Sequence, residues 1–320
     1  MINFEPRSNI RATDITKIYY TYFLNGITFT HLIGIRNMVL VTLFRLNLVK
    51  KFKINFKGNE YNITSMQDYY EFWHKGPGNM DRYKGLKISG NSISLTFKGK
   101  RLRFFIQNSS PRAIYNYSNL LFEQFTSNQY KVDVRGKIVV DIGAYLGETA
   151  VYFTLNGAKK VISLEPYPSA YDLAKKNLAI NHVTNKVKLF NYGISGRENI
   201  IKIDPKVETS TTSDLKYFSK GKSVKLVPLS TLVKDHNLDN AVLKADCEGA
   251  EYDMILGCSD EILRKFSHMV LEYTYGYINL EKRLKKAGFK VSHTGPGAMY
   301  SGDADPHNQL IGLICATRID

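Results

Sequence analysis

Three cysteines in 320 residues (Cys247, Cys258 and Cys315) form no C-x-x-C pair and no even framework. That argues against a disulfide scaffold and a zinc site, and it favours a reducing compartment with no structural metal. The opening residues, MINFEPRSNIRATD, lack the basic-then-apolar pattern of an export signal, so a cytoplasmic location is expected. An uninterrupted apolar run of membrane length is also missing. The nearest candidate, IYYTYFLNGITFTHLIGI between Lys17 and Arg36, has 18 uncharged residues but is diluted by Asn25, Gly26, His31, three Thr and three Tyr. A packed helical pair is the expectation there, with peripheral contact at a membrane interface as the alternative. No internal repeat is present.

Acidic residues are scarce relative to basic ones, and the net charge is +15. The imbalance is concentrated early: residues 1–130 hold 18 Lys and Arg against 7 Asp and Glu, and the remaining 190 hold 26 against 22. Such an excess suits an anionic partner, RNA or a membrane surface, and equally a well-solvated exterior. Hydrophobic residues make up 43% of the chain, enough for a buried core rather than disorder.

The pattern divides the chain near residue 130. Residues 1–130 read as a smaller basic α+β region, with helices over 13–25 and 33–49 and two hairpins at KINFKGNEYNIT and SISLTFKGKRLRFFI. HKGPGNMDRYKG between them reads as a loop, and a helix over about 113–126 follows. Residues 131–320 alternate strand and helix, with strands at 137–141, 160–165, 187–191, 241–246, 268–273 and 288–293. This rhythm predicts an α/β fold with a mostly parallel sheet. The last strand, LIGLICAT, follows a connection too short for a parallel crossover and is expected to be antiparallel.

VVDIGAYLGETA, at 139–150, joins the first of these strands to a helix. A dinucleotide fingerprint reads G-x-G-x-x-G, but here the spacing is D-x-G-x-x-x-G. A carboxylate ahead of the glycines repels a pyrophosphate and suits the ammonium and sulfonium of S-adenosylmethionine. Glu165, 24 residues after Asp141, ends the second strand, where an acid can accept hydrogen bonds from ribose hydroxyls. The fourth strand ends in KADCEGAE, placing Asp246, Glu248 and Glu251 within six residues. Glu251 is explained by the helix dipole, Glu248 only partly, and Asp246 poorly because it still belongs to the strand.

At this point the sequence resembles the FkbM family of S-adenosylmethionine-dependent methyltransferases. The resemblance is carried by VVDIGAYLGETAVYF, VISLEPYPSAYDLAKKNLAIN, VPLSTLVKDH, LKADCEGAEYDMILG and VLEY, in that order through about 137–273. It implies a Rossmann-like methyltransferase sheet and O-methylation of a hydroxyl on a glycan, lipid-linked sugar or small metabolite. Tyr145 stands where the family commonly has Asn. The expected cofactor residues are Asp141, Gly143, Ala144, Tyr145, Gly147, Glu165, Pro166, Asn191, Gly193 and Asp246. Asp246 is the first candidate for general base and Glu248 the second, and either can instead orient the acceptor or bind the methionine ammonium. Glu272 and His293 are further candidates on the same rim. The rival expectation is an RNA methyltransferase that grips RNA through the basic region. Against it, no Asn/Asp-Pro-Pro-aromatic motif ends the fourth strand, and Lys244 is the one lysine beside its acids.

Overall fold

The structure, a computed structural model, describes residues 85–108, 111–203, 221–296 and 310–319, with 51–56, 59–64 and short pieces at 9, 11, 13–14, 39–40, 43–44, 48–50 and 298–299. The helices expected over 13–25 and 33–49 and the loop up to residue 84 lie almost wholly outside the described residues. Among the described residues no helix is long and apolar enough to cross a membrane.

Both expected hairpins form. Strands β1 (Phe52–Phe56) and β2 (Asn59–Ile63) pair antiparallel, as do β3 (Lys87–Ser89), β4 (Ser92–Phe97) and β5 (Lys100–Phe105) in a second small sheet. Lys98 and Gly99, both at positive φ (49° and 75°), make the β4–β5 turn, as a two-residue hairpin with right-handed strand twist requires. Helix α1 (Pro111–Phe125) then leads into the large sheet.

That sheet contains β6 (Ile138–Ile142), β7 (Lys160–Leu164), β8 (Val187–Phe190), β12 (Ala241–Ala245), β13 (Phe266–Tyr273), β14 (Phe289–His293) and β16 (Leu310–Arg318). Their spatial order is β14-β16-β13-β12-β6-β7-β8, and β16 alone among these seven runs antiparallel to its neighbours. β15 (Ala298–Met299) adds a short pairing to β16. A small side sheet of β9 (Tyr192–Ile194), β10 (Asn199–Ile203) and β11 (Lys222–Val227) was not anticipated from the sequence pattern. The helices between these strands are α2 (Glu148–Leu155), α3 (Pro168–Ile180), α4 (Leu229–Asp235), α5 (Ala250–Leu256), α6 (Asp260–Leu263) and α7 (Ile278–Lys286).

The central strands are continuous apolar runs because both faces are covered. Alternate residues feed two cores. Val140, Ile162 and Leu243 pack with α4, α5 and α7, whereas Val139, Val161 and Val242 pack with α1, α2 and α3. The second core also takes in Ile93, Leu95, Leu102 and Phe104 of β4 and β5, so the division expected near residue 130 marks a change of sequence pattern and not a break in packing. Asn177 of α3 and Asn181, which caps its C-terminus, fasten this junction. Asn181 accepts from the Arg103 amide (3.0 Å) and donates to its carbonyl (2.8 Å), and Asn177 does the same for Phe105 at 2.7 and 3.1 Å. The outer edge of β5 is thereby paired by side chains, which protects a strand edge as effectively as charge does.

Candidate active site

The β6–α2 turn owes its shape to Gly143. Its φ is +79°, and a Cβ there would lie 1.8 Å from the Asp246 carbonyl oxygen, so the turn presses directly on the tip of β12. Tyr145 follows in a left-handed conformation (φ +39°), and its amide donates to Glu165 Oε2 at 2.8 Å. Its ring stacks on Tyr117 of α1, with centroids 5.9 Å apart. Gly147, also at positive φ, faces Ala174 and Leu178 of α3; it serves helix packing and does not line the cleft.

Asp141, expected at the cofactor, is placed behind the cleft lining. It is fully buried and directly opposite Lys244 on the neighbouring strand, 3.2 Å from its ammonium. Thr149 and Ser163 donate to its Oδ2 at 2.8 and 3.2 Å. This carboxylate balances a buried lysine and is absent from the cleft lining. Lys244 in turn donates to the carbonyls of Gly143 (2.8 Å) and Ile142 (3.2 Å). Burial opposes its charge, but Asp141, Asp246 and Glu148 hold it above the ordinary lysine range.

At the tip of β7, Glu165 accepts one backbone amide on each oxygen, from Tyr145 (2.8 Å) and Tyr167 (2.9 Å). Burial nevertheless lifts its carboxyl to about 7. Asn191 does not line the cleft; it donates to the carbonyls of Glu165 and Pro166 and props the loop. Ala144 is buried and also absent from the lining.

The three acids after β12 separate cleanly. Glu251 is fully buried and accepts the amides of Gly249 (2.9 Å) and Thr274 (3.1 Å), so it clamps its own loop to the end of β13. Asp246 and Glu248 line a cleft shared with Leu120, Ile142, Gly143, Tyr145, Leu164, Glu165, Pro166, Tyr192 and Gly193. Oδ2 of Asp246 accepts from the Tyr130 hydroxyl at 2.8 Å. Gln129 donates to Glu272 at 3.0 Å, and burial, followed by the charges of Asp246 and Glu248, holds the Glu272 carboxyl well above the usual range. His293 is not brought to this group: its ring stacks on Tyr277, 3.6 Å between centroids, and its Nδ1 lies 3.1 Å from the Thr294 carbonyl.

The sequence reading missed Gln129, Tyr130 and Glu148. Glu148 opens α2, lines the cleft and is only 3% exposed, with no hydrogen-bond partner for Oε2. Burial raises its carboxyl to about 8, although Lys244 pulls the other way. Its position, one residue past the second glycine, was the available signal. The other two precede β6 without periodicity and carried none.

A seven-stranded sheet of this order, with a glycine turn after β6 and acids at the tips of β7 and β12, defines a Rossmann-like methyltransferase fold. Residues 141–291 match the family model described as the methyltransferase FkbM domain, and the cofactor is S-adenosylmethionine. Among solved structures the chain is similar to methyltransferase FkbM from Methylobacillus flagellatus KT (12% identity, 77% of this chain and 60% of that one, TM-score 0.40). It is also similar to a candidate SAM-dependent methyltransferase from Streptococcus mutans (10%, 72% and 56%, TM-score 0.40) and a candidate transferase from Pyrococcus horikoshii (12%, 72% and 74%, TM-score 0.41). The chain thus spans little more than half of the Streptococcus protein. No curated protein matches it.

The cleft residues fit that cofactor. Glu165 keeps lone pairs for ribose hydroxyls, Ile142, Leu164 and Ile194 offer apolar walls, and Glu148 presents an orphaned acid. The cleft holds about 130 Å³, less than a nucleoside-sized ligand needs, so such a ligand would extend beyond it into the open mouth.

Proposed function

We propose that this chain methylates a hydroxyl oxygen of a glycan, lipid-linked sugar or small metabolite, with Asp246 as general base and Glu248 as the residue that orients the acceptor. The supporting observation is the state of Asp246. One oxygen, Oδ2, is occupied by the Tyr130 hydroxyl, while Oδ1 makes no hydrogen bond among the described residues and the side chain lines the cofactor cleft. An aliphatic hydroxyl becomes a competent nucleophile as its proton leaves, and a fixed carboxylate within hydrogen-bond reach receives that proton. S-adenosylmethionine, when bound, supplies an electrophilic methyl group. Gly143, Tyr145, Glu165, Pro166 and Gly193 would hold it. Burial, with the Glu251 charge next, keeps the Cys247 thiol protonated, which argues against a thiolate route through the same loop.

The RNA reading rests on the basic region alone, because Lys244, the one lysine beside the strand-tip acids, is buried against Asp141. The exposed Lys100, Arg101 and Arg103 of β5 support docking of this face on an anionic surface. The test is transfer of a labelled methyl group to glycan, lipid and RNA fractions from the source cell. Label in a hydroxylated glycan, lipid-linked sugar or metabolite supports the proposal, and label confined to RNA refutes it.

A further inference from the structure

We propose that Glu148, and not Asp141, receives the ammonium group at the amino-acid end of the cofactor; the assignment rests on S-adenosylmethionine as the ligand of this cleft. The alternatives near the glycine turn are already engaged. Asp141 is fully buried: Thr149 and Ser163 donate to its Oδ2, and its Oδ1, which makes no hydrogen bond, is neutralised by the Lys244 ammonium 3.2 Å away. The carbonyls of Ile142 and Gly143, natural acceptors for a ligand ammonium, take hydrogen bonds from Lys244. Glu148 lines the same cleft, is almost wholly buried, and has an Oε2 without a partner. An acid present only for the helix dipole would sit exposed in the first turn, where solvent completes its hydrogen bonds. A buried, unpartnered carboxylate oxygen is instead expensive unless a donor arrives from elsewhere.

The surrounding charge favours a cationic donor. The groups acting on Glu148 are Asp141 of β6, Lys244 of β12 and Asp246 just beyond it, and Glu148 itself acts on the Tyr145 hydroxyl of the glycine turn. The one cation among them is paired with Asp141, 3.2 Å away. An incoming ammonium therefore meets an acidic floor. Because burial holds the Glu148 carboxyl near 8, the ligand-free protein carries it protonated at pH 7. Binding of an ammonium converts it to the carboxylate and releases that proton to solvent.

Isothermal titration of the full chain with S-adenosylhomocysteine and with 5′-methylthioadenosine, which lacks the amino-acid end, tests this. Glu148→Gln is expected to weaken S-adenosylhomocysteine by about tenfold or more, as loss of a charge-assisted hydrogen bond does, and methylthioadenosine by less than about twofold. Titrations at pH 7 in buffers of different ionisation enthalpy should show most of one proton released by S-adenosylhomocysteine in the parent protein, and none in the variant. Equal weakening of both ligands, or no weakening of either, overturns the assignment. If the parent binds both ligands equally well, ammonium recognition is refuted while the nucleoside site stands. If it binds neither, the S-adenosylmethionine reading falls with it. Retained methylthioadenosine binding shows that the variant is folded.

Discussion

In the ligand-free protein, replacing Glu148 by Gln should increase stability, and the increase should depend on pH. The carboxyl is raised from the ordinary 4.5 to about 8, chiefly by burial. Below pH 4.5 it is protonated in both folded and unfolded chains and exacts no penalty. As pH rises the unfolded chain ionises first, so stability is lost progressively until the folded group also ionises near pH 8. Each pH unit across that window is worth about 1.4 kcal/mol, which gives a penalty of about 1 kcal/mol at pH 5 and about 3 kcal/mol at pH 7. A glutamine in the same place leaves a neutral amide poorly paired, at about 1 kcal/mol. The net expectation is parity near pH 5 and a gain of about 2 kcal/mol at pH 7, flattening above pH 8. Thermal melts of both proteins from pH 5 to 9 read this as a melting temperature difference that opens with pH to several degrees. Parallel curves across the range would refute the reasoning, because they would mean that Glu148 finds a partner or solvent in the free protein.

Three further outcomes follow from the same packing. Gly143→Ala forces a Cβ to within 1.8 Å of the Asp246 carbonyl at a φ of +79°; it should destabilise by about 3 kcal/mol or more in denaturant titrations and abolish S-adenosylhomocysteine binding in calorimetry. Asp246→Asn should lower turnover on the acceptor found by label transfer by about 10²- to 10⁴-fold while leaving S-adenosylhomocysteine affinity within about threefold. Full activity in that variant would reassign the base. Asn177→Ala removes hydrogen bonds to the Phe105 amide, the Phe105 carbonyl and the Leu146 carbonyl. At about 1 kcal/mol each it should shift the denaturation midpoint by about 2–3 kcal/mol in stability, and an unchanged midpoint would show that the β5 edge is held by packing alone.

The large sheet was legible because its central strands are buried on both faces and read as unbroken apolar runs, from Ile138–Ile142 through Ala241–Ala245. The small β9–β11 sheet was not, for a physical reason: Tyr192 follows β8 with a single residue between and no turn signal, and β10 and β11 lie far apart in sequence. The placement of Glu165 and Asp246 at the cleft followed from the rule that ligands meet the carboxyl ends of strands. His293 satisfies that rule too, yet it lies on the outermost strand of the sheet, where Tyr277 takes its ring.

Asp141 shows where a motif stops being enough. Its identity and its place before the glycines are the same whether it faces a ligand or a lysine. What decides is the register of β6 against β12, which sets Lys244 exactly opposite although it is 103 residues away, a pairing no local spacing encodes. Once that pair forms, the lysine takes the carbonyls of the turn, and we assign the acid for a cationic ligand to the next element. Glu148 is the first residue of that element; it lines the cleft, and its Oε2 has no hydrogen-bond partner. The chemistry read from D-x-G-x-x-x-G was an acid beside the glycines, and register moves it from the strand before the turn to the helix after it.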